Sequence, residues 1–235
     1  MGIAISKRRM DGDDAGRGSR VIGRHGLVDD VYGAIFNQLM ALEIAPGARI
    51  TVDNLVRELG VSQTPIREAL GRLEGEGLVV KTHLIGYSAA PQISRRSFEE
   101  LYELRLLLEP EGARRAAENM DEDRLHSLRQ FAGAMAQPSD GDERMRYSAF
   151  ARQDAAFHDR IMEFAENALI RSTLAHQHTH FHIFRLMFHA RVTDEALEEH
   201  DAIMRAFSAR DGHAADRAMR AHIERSRARL RPAFG

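Results

Sequence analysis

The chain has 235 residues, with 33 Lys and Arg against 35 Asp and Glu, a net charge of −2 and no cysteine. The lack of cysteine excludes disulfides and thiolate metal sites and fits a reducing cytoplasm, while the near-neutral charge means any DNA contact must come from a local arrangement. The start, MGIAISKRRMDGDDAGRG, has no apolar stretch like a signal peptide and no long uncharged apolar run follows, so the expectation is a cytoplasmic protein with room for two compact domains.

Residues 1–26 carry Lys7, Arg8, Arg9, Arg17, Arg20 and Arg24 against Asp11, Asp13 and Asp14 in a Gly-rich, apolar-poor setting. They read as a disordered basic tail, either solvated or reaching DNA phosphates. A helix is predicted from about Leu27 to Leu42, where Val28, Val31, Ile35, Leu39 and Leu42 recur at helical spacing, and Pro46-Gly47 ends the connection. The stretch NLVRELGVSQTPIREALGRL, Asn54 to Leu73, then spells two short amphipathic helices joined by a turn. Leu55, Leu59 and Val61 supply the apolar positions of the first, Gly60 suits a helix C-terminus, and Ser62 is placed to cap the second. The second helix presents Gln63, Thr64, Arg67 and Arg72 outward and turns Ile66, Leu70 and Leu73 inward, as a helix-turn-helix does when it feeds a recognition helix into a major groove. After Gly77 the runs LVVK and GYSAA flank His83-Leu84-Ile85-Gly86 and read as a small hairpin.

Ser62, Gln63, Thr64 and Arg67 occupy the first turns of that helix, where side chains can meet base edges and a helix N-terminus favours phosphate. One count argues against DNA. Residues 27–91 hold five basic residues (Arg49, Arg57, Arg67, Arg72, Lys81) against eight acidic ones (Asp29, Asp30, Glu43, Asp53, Glu58, Glu68, Glu74, Glu76). The DNA reading therefore requires the basic side chains to share one face.

Pro91 marks the domain junction, and from Ser94 onward helical periodicity dominates. Helices are predicted at about 95–119, 122–137, 142–166, 168–189, 193–210 and 212–230, with breaks at Pro138-Ser139-Asp140-Gly141 and near Asp211-Gly212. Short loops between amphipathic helices predict an antiparallel bundle. Asp154 and His158 lie four apart on one helix face, and His200 and His222 sit at inward registers of two later helices. One Asp and three His suit a divalent metal in a bundle interior, although spacing alone leaves open core histidines satisfied by hydrogen bonds. Within one continuous helix, His178, His182, Arg185 and His189 would share a face and His176 and His180 another. That cluster reads as solvated or interfacial, or as lending one member to a cavity. Phe150, Phe157, Phe164, Phe181, Phe184 and Phe188 read as core or dimer-interface aromatics.

The block APGARITVDNLVRELGVSQTPIREALGRLEGEGLVV, Ala45 to Val80, resembles the winged helix-turn-helix of GntR-family transcription regulators. The remainder, to about Leu230, is similar to the FadR-type branch with its all-helical FCD effector domain. The resemblance implies a mainly α fold: a winged helix-turn-helix over 27–91 and an antiparallel helical bundle over 92–235 that binds effector and metal and dimerises. It places Thr64 and Arg67 at DNA-contact positions and Gly86 at a wing tip near the minor groove; Arg57, Ser62, Gln63, Arg72 and Lys81 complete the candidate DNA surface. Gln63 stands where many relatives have Arg before the Thr-Pro pair, and Asp53 where some carry a DNA-contacting Arg. Since Gln suits adenine and Arg guanine, the operator is expected to differ there.

In the helical domain the resemblance implies a divalent ion, zinc foremost with nickel or manganese open, on Asp154, His158, His200 and His222. Arg105 matches an inward Arg facing the effector cavity, where it and the ion could grip a small carboxylate; the competing reading pairs it with Glu103 or Glu109 on the surface. The expected function is a homodimeric, ligand-responsive regulator of a metabolic operon, most often a repressor in this family, with operator DNA and a small carboxylate as partners, no membrane and no enzymatic activity. Two alternatives stay open. One is a metal-dependent hydrolase or oxygenase, for which little in the sequence supplies a general base, and the other is an interaction module with a structural metal.

Overall fold

The computed structural model describes residues 24–137, 143–186 and 191–235; the basic tail up to residue 23, the break at 138–141, and Phe188 and His189 lie outside them. The first part of the chain runs α1 (Arg24–Met40), β1 (Arg49–Ile50), α2 (Val52–Leu59), α3 (Gln63–Gly75), β2 (Val79–Thr82) and β3 (Gly86–Ala89). The strands form an antiparallel sheet in the order β1-β3-β2, with Ile50 opposite Tyr87 and Val79 opposite Ala89. At two residues, β1 is too short to leave a period-two signal in the sequence.

The helical stripes make one core. Ile35, Phe36 and Leu39 of α1 meet Ile66, Leu70 and Leu73 of α3, all without solvent exposure. Gly60 ends α2 in the left-handed region at φ 67°, its N–H donating to the Val56 carbonyl, and so turns the chain into α3. Ser62 does occupy the N-cap of α3, but its hydroxyl makes no capping hydrogen bond. At the hairpin tip Leu84 adopts φ 62° and is 93 % exposed.

The second part comprises α4 (Arg95–Glu118), α5 (Glu122–Ala136), α6 (Glu143–Phe164), α7 (Ala168–His176), α8 (Thr179–Phe184), α9 (Arg191–Ser208), α10 (Gly212–Leu230) and a closing 3-10 turn, Arg231–Phe234. Ser94, Asp121, Asn167 and Asp211 cap α4, α5, α7 and α10 with side-chain acceptors. α10 packs along α4 and beside α9, and α6 lies against α4 and α5, which leaves the middles of these helices around a shared interior. Pro110 cannot donate to the Leu106 carbonyl one turn earlier, and Arg220 of α10 donates to that oxygen instead at 3.5 Å.

The single helix expected over 168–189 is divided at Gln177 and His178, where His178 takes φ 45°. No Gly or Pro marks this break, because it serves tertiary contacts: it turns α8 so that Phe181 packs edge-on against Phe36 of α1 at 5.3 Å. The first and second parts also meet where Ser148 donates to Asn37 at 2.7 Å, Arg144 pairs with Glu43 at 3.0 Å, and Arg152 lies 4.5 Å over the Phe36 ring. Among the described residues no helix is long and apolar enough to cross a membrane.

Candidate metal centre and nucleic-acid interface

The four expected ligands converge. α6 carries Asp154 and His158 one turn apart, α9 carries His200 and α10 carries His222, and each is at most 4 % exposed. One ring nitrogen from each of His158, His200 and His222 lies within 4.8 Å of the other two. Asp154 Oδ1 is 3.3 Å from His200 Nε2.

Hydrogen bonding decides which nitrogens face inward. His158 Nδ1 lies 2.8 Å from Glu109 Oε2, and His222 Nδ1 lies 2.8 Å from Glu199 Oε2. An ionised carboxylate only accepts, so both Nδ1 atoms carry hydrogen and both Nε2 atoms hold lone pairs. Burial pushes the His158 imidazole down to about 3, with His180 adding to the effect, and burial pushes His222 down to about 4. Burial would raise Asp154, but His180 above all, with His200 and His158, outweighs it and holds the carboxyl well below its usual range. Glu109 follows the same logic, with Arg105 the main counterweight to burial. The result is a dry pocket in which the His158 and His222 imidazoles are neutral beside an ionised carboxylate, and in which His158 Nε2 and both nitrogens of His200 make no well-directed hydrogen bond. Buried nitrogens left unpaired are costly, and this donor set fits a divalent cation of borderline softness.

Glu199 escaped the sequence reading, Glu109 entered it only as a surface partner for Arg105, and His180 only as one of the histidines that could line a cavity, which it does. Arg105 does pair with Glu109, but inside the fold, where both are almost fully buried. Its Nε donates at 2.5 Å and its Nη2 at 3.2 Å, leaving Nη1 unpartnered. Glu199 is held by Arg229 through two bonds of 2.5 and 3.0 Å. His180 places Nδ1 2.6 Å from Asp154 Oδ2. Its neighbours go elsewhere: His176 bonds its own helix at Ser172, and His178 and His182 face Gly77. A void of about 10 Å³ lies beside Arg105, Asp154 and His222, whereas a cleft of about 180 Å³ opens on the other side, lined by Glu109, His158, Met162, Leu174, Thr179 and His180.

On the winged part, Ser62, Gln63, Thr64 and Arg67 are exposed together on the first turns of α3. Gln63 Nε2 donates to Asp53 Oδ1 at 2.9 Å, and Arg67 Nη2 donates to Gln63 Oε1 at 3.3 Å. Arg57 hydrogen-bonds Asn54 on its own helix. Arg72 points toward α1, paired with Asp29 at 2.5 Å and stacked 4.3 Å over Tyr32. Lys81 lies 5.7 Å over the Tyr87 ring of the hairpin, and Gly86 takes φ 110° at its tip. Acids that argued against DNA are engaged by other side chains: Asp29 by Arg72, Glu43 by Arg144, Asp53 by Gln63, Glu58 by Gln38 and Glu76 by Tyr32.

Comparison with known proteins agrees with both halves. The model of the bacterial regulatory proteins of the gntR family matches residues 27–86 and that of the FCD domain matches residues 100–225. The chain is 26 % identical over 199 residues to the HTH-type transcriptional regulator YdhC of Bacillus subtilis, covering 82 % of this chain and 87 % of that protein. It is 27 % identical over 206 residues to a probable D-xylose utilization operon transcriptional repressor of Paenarthrobacter nicotinovorans, covering 87 % and 89 %. The solved structure of Escherichia coli McbR/YncC has the same fold, with a TM-score of 0.65 at 20 % identity over 89 % of this chain and 99 % of that one. FCD domains of some family members bind metals, and the His and Glu groups found here could hold one. A winged reading head joined to a helical FCD bundle, matched over both regions, means that the chain belongs to the GntR family of bacterial regulatory proteins, in its FCD-bearing branch, and is a DNA-binding transcription regulator rather than an enzyme.

Proposed function

We propose that the chain acts as a homodimeric, metal-containing repressor of a metabolic operon that responds to a small carboxylate. The observation that carries this reading is the buried trio of imidazoles beside Asp154, in which His158 Nε2 and both His200 nitrogens have no hydrogen-bond partner. Asp154, His158, His200 and His222 would hold the ion, zinc foremost with nickel or manganese as competitors, and the ion would supply a fixed positive charge for an anionic ligand to meet. Arg105 is largely spent on Glu109, so its contribution to an effector is the remaining Nη1.

Division of labour follows the chain: 27–91 reads DNA, and 92–235 holds the ion and effector and pairs the subunits. Ser62, Gln63, Thr64 and Arg67 would meet the major groove, with Arg57, Lys81 and Gly86 flanking it, while Arg72 is tied to α1 and would reach phosphate only by leaving Asp29. Two such heads related by a two-fold axis match a pseudo-palindromic operator. Control of a sugar operon by the Paenarthrobacter relative supports a metabolic role.

The test is a titration of chelator-treated protein with zinc, nickel and manganese, followed by a thermal-shift screen of organic acids on the loaded protein and gel shifts with its own promoter region. Bound ion, a melting temperature raised by an acid, and DNA affinity altered by the same acid are expected. Absence of metal binding overturns the centre. Equal affinity for promoter and random duplex at moderate ionic strength overturns the operator reading.

A further inference from the structure

We propose that helix α8 carries the state of the buried centre to the DNA-binding part, with His180 as the residue that senses it; this rests on the metal and ligand reading above. α8 is six residues long and faces two ways. Toward the centre, His180 meets Asp154 Oδ2 at 2.6 Å. Toward the winged part, Phe181 packs on Phe36 of α1, and His178 and His182 close over Gly77 at 3.2 and 3.4 Å from where its Cβ would be. Just beyond α8, Arg185 donates to the Ala90 carbonyl at 2.7 Å and its own carbonyl accepts from Gln92 at 2.8 Å. Gly77 joins α3 to β2, and Ala90 follows β3 with its N–H on the Leu78 carbonyl. The helix therefore rests on both ends of the hairpin that follows the recognition helix.

Two features make this seat easy to displace. His178 holds a left-handed backbone at φ 45° without being glycine, and Arg185, 1 % exposed, leaves Nε and Nη1 without partners. Backbone strain and unpaired buried donors each raise the energy of the observed arrangement, so a modest change at the centre suffices to favour another. The cleft beside the centre is lined by His178, Thr179, His180 and Phe181, four consecutive residues at the α7–α8 break, and the Thr179 hydroxyl has no partner. A ligand entering there meets the connecting element directly. α6 also touches both regions, but it is an unbroken 22-residue helix anchored to α1 through Ser148, which makes it the frame against which α8 shifts.

The test uses the full chain, Zn²⁺ alone as the probe, and hydrogen–deuterium exchange at residues 76–79 and 89–92. In the unaltered protein Zn²⁺ changes exchange there roughly fivefold or more. His180→Phe keeps a ring but loses the bond to Asp154: its Zn²⁺ affinity falls about tenfold, as for any partner that supports a ligand, yet the site still saturates, and at saturating Zn²⁺ the exchange response falls below about twofold. His182→Gln, which cuts the far end and touches no ligand, uncouples in the same way and serves if the first variant does not fold. Full response in both variants overturns the proposal, as does a Zn²⁺ affinity that collapses in His180→Phe, which would make His180 a ligand. Zn²⁺ that binds the unaltered protein without any change at Gly77 overturns the transmission and leaves the metal reading standing, whereas no Zn²⁺ binding at all removes both.

Discussion

His222 donates from Nδ1 to Glu199 Oε2 at 2.8 Å, and that bond turns the lone pair on Nε2 toward the other imidazoles. His158 and Glu109 repeat the arrangement across the centre, and in both cases an arginine, Arg229 or Arg105, fixes the carboxylate from behind. Two glutamates thus set the tautomers of two candidate ligands.

Glu199→Gln keeps the shape but removes the charge that orients His222 and neutralises Arg229. Zinc affinity should fall by about tenfold or more, the range seen when such supporting partners are lost. Isothermal titration against the unaltered protein measures it; unchanged affinity would mean that His222 orients itself unaided.

At the reading head, Gln63 is held between Asp53 and Arg67, with its donor and acceptor both directed by neighbours. Gln63→Arg should move the preferred base at one position of each half-site from adenine toward guanine, by about 1–3 kcal/mol of discrimination. Arg67→Ala should weaken binding to every duplex tested. Selection from a random duplex pool reports the first effect and a salt-controlled gel shift the second.

The metal-free protein should lose stability on mild acidification. His158 is pushed from 6.5 down to about 3, and His222 and His182 down to about 4, chiefly by burial. Between pH 6.5 and 4 the unfolded chain binds protons that the folded chain refuses, so stability rises with pH across that window and levels off above it. Each imidazole contributes a slope of about 1.4 kcal/mol per pH unit. Urea denaturation with chelator at pH 5, 6 and 7.5 gives the profile, and a flat one would show that the folded protein accepts those protons.

Two glycine substitutions should move stability in opposite directions. Gly77 sits at φ 69° with His178 3.2 Å from any added Cβ, so Gly77→Ala should cost about 1–2 kcal/mol from backbone strain alone. Gly133 lies exposed in α5 with nothing within 4 Å, so Gly133→Ala should add about 0.5–1 kcal/mol through helix propensity. Midpoints of denaturant unfolding compare the two.

The sequence carried the α2–α3 pair because Leu55, Ile66, Leu70 and Leu73 repeat at helical spacing around a glycine that only a helix end requires. The convergence of the four candidate ligands was legible for a different reason: Asp154 and His158 sit one turn apart, and the resemblance supplied His200 and His222. Spacing could not reveal that Glu109 and Glu199 turn the imidazoles, since those bonds join separate helices, Glu109 of α4 to α6 and Glu199 of α9 to α10. Glu109 had been visible only as a surface partner for Arg105, because an i,i+4 pair reads the same whether wet or dry. The break at His178 left no trace either: a helix-compatible HQHTH segment bends there to satisfy Phe36 and Asp154, both distant in the chain.

The convergent side chains of Asp154, His158, His200 and His222 offer nitrogen and oxygen alone, in a chain free of cysteine. A shift in thiol poise has no cysteine sulfur there to attack, so a signal read at this centre would not run through the thiol–disulfide exchange that thiolate sensors use.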